Sequence, residues 1–89
     1  MIPTKDENPD GLHQKYIITK ADGSPVDPNA IYFVLRLDYN NGDDIHIHAC
    51  RSAAYQYCVS VKQRLTSKSN LWLVAEQLLN LLHKTRNFR

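Results

Sequence analysis

The sequence predicts an α+β fold in which an antiparallel β-hairpin precedes two α-helices, the second of which forms a dimer contact. In residues 31–39 every second side chain is apolar, as in a strand with one buried face. After residue 43 the apolar side chains recur at helical spacing instead. With 89 residues, the chain has room for one small domain with one small core.

The predicted hairpin occupies residues 13–39. Its first strand runs from His13 to Thr19 and has three apolar residues at its centre, Tyr16, Ile17 and Ile18. Residues 21–30 form a loop that contains a turn dipeptide and two prolines, Asp22-Gly23, Pro25 and Pro28. The second strand runs from Ile31 to Tyr39. One of its faces carries Phe33, Leu35 and Leu37, and the other carries Tyr32, Val34, Arg36 and Asp38.

The first predicted helix begins after Asp43 or Asp44 and runs to about Thr66. Either aspartate is expected to be the N-cap, because a short carboxylate accepts the free N–H groups of a first turn. The apolar residues of this helix alternate at steps of three and four: Ile47, Cys50, Ala54, Tyr57, Val61 and Leu65. A polar break follows, with three candidate caps, Ser67, Ser69 and Asn70.

The second predicted helix runs from Leu71 to about Lys84. Its apolar side chains cover far more than one stripe, so it is expected to bury two sides. A hairpin and one other helix offer a single partner surface, and two strands alone are marginal in water. The sequence therefore predicts a homodimer or larger assembly whose interface is formed by the second helix: Trp72, Leu78, Leu79 and Leu82.

Length and composition exclude several classes of protein. Residues 1–12 are expected to form a flexible lead-in, and residues 13–89 a single domain. No apolar run approaches the roughly 18–20 residues of a membrane span, and residues 1–9 do not resemble a signal peptide. Two cysteines are too few for a disulfide scaffold. We therefore expect a cytoplasmic protein with no membrane partner.

The charge is unevenly distributed, which makes nucleic acid an alternative partner. Residues 1–44 carry a net charge of −4, and residues 45–89 a net charge of +6. The cations that would bind phosphates lie in the basic half: Lys62, Arg64, Lys68, Lys84, Arg86 and Arg89. The acidic half opposes this alternative, since it would repel phosphates unless it faced away.

Three segments together resemble a known group of proteins. They are residues 15–18 (KYII), residues 21–28 (ADGSPVDP) and residues 32–38 (YFVLRLD), followed by His48, Ala49, Arg51 and Ala54. This pattern resembles small uncharacterised proteins encoded by bacteria and their phages, and the resemblance covers residues 12–60. It implies no activity, cofactor or catalytic residue. It does imply a binding role, because small phage accessory proteins commonly block a host machine or sequester a molecule, as anti-CRISPR proteins do.

Histidines and cysteines are the candidate ligands and nucleophiles. On a helix, His46 and Cys50 share a face, a geometry that can hold two ligands of a zinc ion. No paired motif completes a site, so whether His46, His48 and Cys50 hold a metal stays open. Cys50 and Cys58 lie about 12 Å apart along the helix and cannot bond to each other. We expect both to be core residues, with no catalytic residue, cofactor or metal and no enzymatic activity.

Protein binding is the function that the sequence favours. Tyrosine and arginine are favoured at binding hot spots, and the candidate contact residues are Tyr32, Val34 and Arg36 of the exposed strand face together with Arg51 and Tyr55. We expect an accessory protein of a phage or mobile element that binds and inhibits a host protein. The alternatives are nucleic-acid binding and a nucleotide sponge, in which Tyr32, Arg36 and Arg51 would line a pocket at a dimer seam.

Overall fold

The computed structural model describes residues 2–38 and 44–86, except the side chain of Arg86. By its internal packing the chain divides into two compact units, Met1–Val34 and Leu35–Arg89. Regular secondary structure in the described residues is confined to the second unit, which contains two α-helices. The first unit is built from turns and irregular segments.

Helix α1 spans Ile45–Arg64, and Asp44 is its N-cap. The Asp44 carboxylate accepts hydrogen bonds from the backbone N–H of His46 at 2.9 Å and of Ile47 at 3.4 Å. The helix ends where Leu65 becomes extended, after a last turn that contains Lys62 and Arg64. The negative end of the helix dipole makes the last turn a favourable position for these two cations. The predicted helix and cap are confirmed, with the end two residues earlier than expected.

Helix α2 spans Asn70–Arg86, one residue longer at its start and two at its end than predicted. Ser69 caps it: its hydroxyl accepts from the Leu71 N–H at 3.2 Å, and its carbonyl accepts from the Leu73 N–H at 3.2 Å. This cap was among the three that the sequence offered. Both helices therefore begin at a short polar side chain that satisfies a free N–H group.

The core of the second unit lies between α1 and α2, which pack against each other. The buried residues are small apart from one isoleucine and one leucine: Ile47, Cys50, Ala54 and Cys58 of α1, and Ala75 and Leu82 of α2. Alanine and cysteine at the contact let the two helices approach closely. Tyr57 and Leu65 were expected on the apolar face of this helix but are 42% and 38% exposed. The residue of α1 that is buried after Ala54 is Cys58, four positions later, rather than Tyr57.

The predicted β-hairpin is wrong, because no strand occurs in residues 2–38 or 44–86. The α+β class is corrected accordingly: the regular structure of the described residues is all-helical. No backbone hydrogen bond joins residues 13–19 to residues 31–38, so the ladder that defines a hairpin is missing there. Apolar side chains of both predicted strands are exposed, with Ile17 at 89% and Phe33 at 64%. Tyr39, the last residue of the second predicted strand, lies outside the described residues.

The connection between the two segments accounts for this result. Asp22 accepts hydrogen bonds from the backbone N–H and the hydroxyl of Ser24, and Asp27 accepts from the backbone N–H of Asn29. Gly23 sits at φ +78°, a left-handed conformation that suits glycine in a turn. The loop thus forms two successive local turns. An isolated two-stranded hairpin is only marginally stable in water. An alternating sequence pattern is therefore not sufficient for the two segments to pair.

Residues 3–14 close on themselves through local hydrogen bonds. The Gln14 N–H donates to the carbonyl of Pro3 at 2.9 Å, and the Asn8 amide donates to the carbonyl of Leu12 at 2.9 Å. His13 Nδ1 lies 3.0 Å from the carbonyl oxygen of Asn8 and 2.9 Å from that of Gly11. Because carbonyls only accept, His13 must carry its proton on Nδ1 when both contacts form.

Candidate protein-interaction surface

Residues 31–35 form an uninterrupted exposed apolar segment. All five side chains are exposed, from 36% at Leu35 to 65% at Ile31, and they include the predicted contact residues Tyr32 and Val34. No backbone hydrogen bond joins residues 31–35 to any other residue of the described ranges. The segment therefore offers apolar side chains together with backbone donors and acceptors that have no backbone partner among the described residues. We call residues 31–35 the open segment.

The sequence identified two of the five residues of the open segment, Tyr32 and Val34, as contact residues. It placed Phe33 and Leu35 on the opposite face of the predicted strand. The structure exposes both sets, with Phe33 at 64% and Leu35 at 36%. One feature of the sequence could have predicted this exposure. The segment has the alternating pattern of a strand, but the sequence predicts only one other strand to pair with it.

Arg36 lies just beyond the open segment and forms an ion pair with Asp38. Its Nε is 2.7 Å from one carboxylate oxygen of Asp38, and its Nη2 is 3.1 Å from the other. This two-pronged hydrogen bond holds the pKa of Asp38 below its usual value, with a smaller contribution from the charge of Arg51. At this position the surface therefore carries an Arg36–Asp38 ion pair rather than an isolated positive charge.

Arg51 is half-buried and acts as an internal tether. Its guanidinium donates to the hydroxyl of Thr85 at 2.8 Å and to the carbonyl of Leu82 at 2.7 Å, both near the end of α2. It also donates to the carbonyl of Leu37. A cation here is favoured by the negative end of the α2 dipole. Its donors are engaged within the second unit, unlike the outward-facing contact residue that the sequence proposed.

Of the five predicted contact residues, Tyr32 and Val34 belong to the first unit, and Arg36, Arg51 and Tyr55 to the second. Tyr55 is 50% exposed on α1. Arg36 and Arg51 lie within one unit, and both act on the Asp38 carboxylate. The prediction that these residues contact a partner stays a prediction.

The predicted oligomer interface is partly occupied inside the helix pair. Leu82 is buried in the core, and Trp72, Leu78 and Leu79 are half-buried. The Lys62 ammonium lies 4.6 Å from the centre of the Trp72 ring, and Lys62 also pairs with Glu76. This cation–π and ionic contact joins the end of α1 to the start of α2. Other apolar residues of α2 are about half exposed, including Leu73 at 49%, Val74 at 50% and Leu81 at 49%.

The basic residues are divided between engaged and exposed side chains. Lys62 is committed to Trp72 and Glu76. Arg64, Lys68 and Lys84 are exposed. The side chain of Arg86 and all of Arg89 lie outside the described part of the chain. The structure thus locates three exposed cations of the six that the sequence proposed for nucleic acid.

His46 and Cys50 are neighbours on α1, as the sequence predicted from their spacing. His46 Nε2 lies 3.6 Å from the Sγ of the buried Cys50, and both His46 and His48 are exposed. Across the described ranges, no three His, Cys, Asp or Glu side chains are grouped to hold a metal ion. Cys58 is fully buried, and burial raises the pKa of its thiol, so the thiol is protonated at neutral pH. Both cysteines are free, and both lie in the core as expected.

Comparison with known proteins adds no assignment to this geometry. No protein-family model, curated protein or solved structure matches the chain. Among the described residues, neither helix is both long and apolar enough to cross a membrane.

Proposed function

We propose that this chain is a non-enzymatic binding protein that binds another protein through the open segment, residues 31–35. The observation that carries the proposal is five consecutive exposed apolar side chains without backbone partners among the described residues. Soluble proteins rarely leave such a contiguous patch uncovered unless it serves an interaction.

The partner that fits is a protein with an exposed sheet edge. A free strand edge presents unpaired N–H and C=O groups, and adding the open segment as a further strand would satisfy both sides. Residues of high β propensity occupy the segment, notably Ile31, Phe33 and Val34. Alternate side chains would then enter pockets on the partner, which supplies specificity as well as affinity.

The inhibitory role rests on the resemblance to small phage-encoded proteins. An accessory protein of this kind acts in the cytoplasm of the host, where it blocks a host protein by occupying its surface. Counter-defence inhibition is the sharpest form of the proposal. Residues 1–34 carry five carboxylates and three lysines, so a partner whose sheet edge is flanked by basic residues would be favoured.

The two alternatives receive less support. For nucleic acid, Lys62 is engaged with Glu76 and Trp72 rather than presented to a phosphate. For a nucleotide sponge, the guanidinium of Arg51 already donates to Leu82 and Thr85. A nucleotide held by Arg51 would have to displace contacts that hold the two helices together, and a nucleic acid would be left with Arg64, Lys68 and Lys84 of the described cations.

The test is quantitative affinity purification from a bacterial host lysate with one test variant and one control variant. Val34→Pro removes a backbone donor and the conformational freedom that strand pairing needs. Ile17→Asp is the control, because Ile17 is an exposed apolar residue that lies in the same unit as Val34 but outside the open segment. We expect a host protein that is retained by the wild type and by Ile17→Asp and lost with Val34→Pro.

Measurements on the purified chain and the purified host protein then test whether binding inhibits the host protein. We expect one-to-one binding by calorimetry, loss of the partner's activity without turnover, and a Kd at least about tenfold weaker for Val34→Pro. Helical circular dichroism checks that the variant is folded. Equal binding by both variants would reject the open segment as the binding site. Retention that disappears after nuclease treatment or at high salt would favour nucleic acid instead.

A further inference from the structure

We propose that a second copy of this chain docks on α2 in an antiparallel arrangement through four residues that we call the α2 stripe: Leu71, Val74, Leu78 and Leu81. The proposal is independent of the open segment and of the protein bound there. It differs from the interface predicted from sequence, since Trp72, Leu79 and Leu82 are excluded from the stripe.

The α2 stripe is a second apolar face of the helix. Its residues are spaced by three, four and three positions, which aligns them along one side, as in the seam of a coiled coil. Leu71, Val74 and Leu81 are 45%, 50% and 49% exposed, and Leu78 is half-buried. The contact with α1 uses the neighbouring line, Ala75 and Leu82. α2 therefore satisfies one apolar face within the chain and leaves another uncovered.

The charge pattern favours a copy of the same chain as the occupant. The residues that flank the stripe at seven-residue intervals are Asn70, Gln77 and Lys84, so this side of α2 carries no charge before its last turn. Glu76 is engaged with Lys62 of α1. A partner that relied on ion pairs would find only Lys84, at the end of the stripe. An equally uncharged apolar stripe is complementary, and the chain itself supplies one.

Lys84, the charged residue that flanks the stripe, favours the antiparallel orientation. In an antiparallel pair, Lys84 of one copy lies beside Asn70 of the other, and the two lysines are about 20 Å apart along the axis. That separation exceeds the Debye length of about 8 Å at physiological salt. A parallel pair would instead bring the two Lys84 side chains to the same end. Gln77 lies at the centre of the antiparallel pair, where two amides can hydrogen-bond to each other.

The size of the stripe sets the expected strength. Four half-exposed side chains bury less surface than the roughly 800 Å² per partner of a standard interface. We therefore expect a reversible dimer with a micromolar Kd rather than a permanent one. Its population should change visibly across an ordinary concentration series.

Sedimentation velocity over a range of concentrations tests the dimer. Leu81→Glu puts a charge in the stripe, while Leu73→Glu makes the same change at an equally exposed position, 49% in both cases, outside the stripe. We expect the wild type and Leu73→Glu to dimerise alike and Leu81→Glu to raise the Kd at least about tenfold. A monomeric wild type at the highest concentration, or equal effects of both variants, would overturn the proposal.

Cysteine cross-linking tests the orientation. Under mild oxidation, Gln77→Cys should form a linked dimer, and so should a mixture of Asn70→Cys with Lys84→Cys. Asn70→Cys alone should not, because its two copies lie at opposite ends of the pair. The native Cys50 and Cys58 are buried, so the wild type is the background control. Linkage of Asn70→Cys alone, or failure of the mixture, would reject the antiparallel arrangement.

Discussion

At the scale of single residues, Arg51 shows how one side chain joins separate parts of a small unit. Its guanidinium reaches the Leu37 carbonyl before α1 and two acceptors near the end of α2, Leu82 and Thr85. The Thr85 hydroxyl in turn donates to the Leu81 carbonyl at 2.9 Å. A core made mostly of alanine and cysteine supplies little apolar area, so these charged hydrogen bonds carry more of the stability than they would in a larger domain.

We expect Arg51→Ala to lower the free energy of unfolding by about 2–4 kcal/mol, because it removes charged hydrogen bonds and leaves half-buried acceptors without their donor. Urea denaturation followed by circular dichroism measures this. Arg64→Ala is the matched control on the same helix, at an exposed position, and should cost less than about 0.5 kcal/mol. Similar losses in both variants would show that Arg51 is not a tether.

At the scale of elements, both helices are specified locally and the strands are not. The Asp44 carboxylate and the Ser69 hydroxyl each satisfy a free N–H of a first turn, and these contacts need only neighbouring residues. A strand needs a partner whose position depends on the rest of the chain. This difference explains why helix positions were predicted to within two residues while the hairpin prediction was wrong.

We expect Asp44→Ala to destabilise the second unit by about 1 kcal/mol, because the N–H groups of His46 and Ile47 lose their acceptor. Asp44→Asn should retain most of the stability, since its side-chain carbonyl accepts in the same place. Thermal unfolding of the two variants makes the comparison. If the alanine variant were as stable as the asparagine variant, the cap would contribute nothing measurable.

At the scale of the whole molecule, the chain combines a unit of local turns with a unit of two packed helices. Their hydrogen bonding differs in kind. The backbone of α1 is helical from Ile45 to Arg64, with its first turn capped by Asp44, whereas residues 31–35 have no backbone partner in the described ranges. The open segment has the sequence pattern of a β-strand but no backbone partner among the described residues. This combination is the feature that supports a binding function.

Hydrogen exchange measured by mass spectrometry checks this contrast in the free protein. We expect the amides of residues 31–35 to exchange at rates close to those of an unstructured peptide, because they are not hydrogen-bonded to the described residues. Amides of Cys50, Ala54 and Cys58 should exchange far more slowly, since they lie in the buried turns of α1. Slow exchange in residues 31–35 without a partner would mean that the segment is already paired.

The sequence by itself determined the two helices, the Asp44 cap, the burial of Cys50 and Cys58 and the excess apolar surface of α2, because periodicity and capping act between residues within four positions of each other. Only the tertiary structure decided that residues 31–35 remain open, that Arg51 turns inward and that the free side of α2 is the line of Val74 and Leu81 rather than Leu82. Those outcomes depend on which faces meet across the helix pair and on whether a second strand arrives. Contacts between distant residues settle both, and local pattern does not encode them.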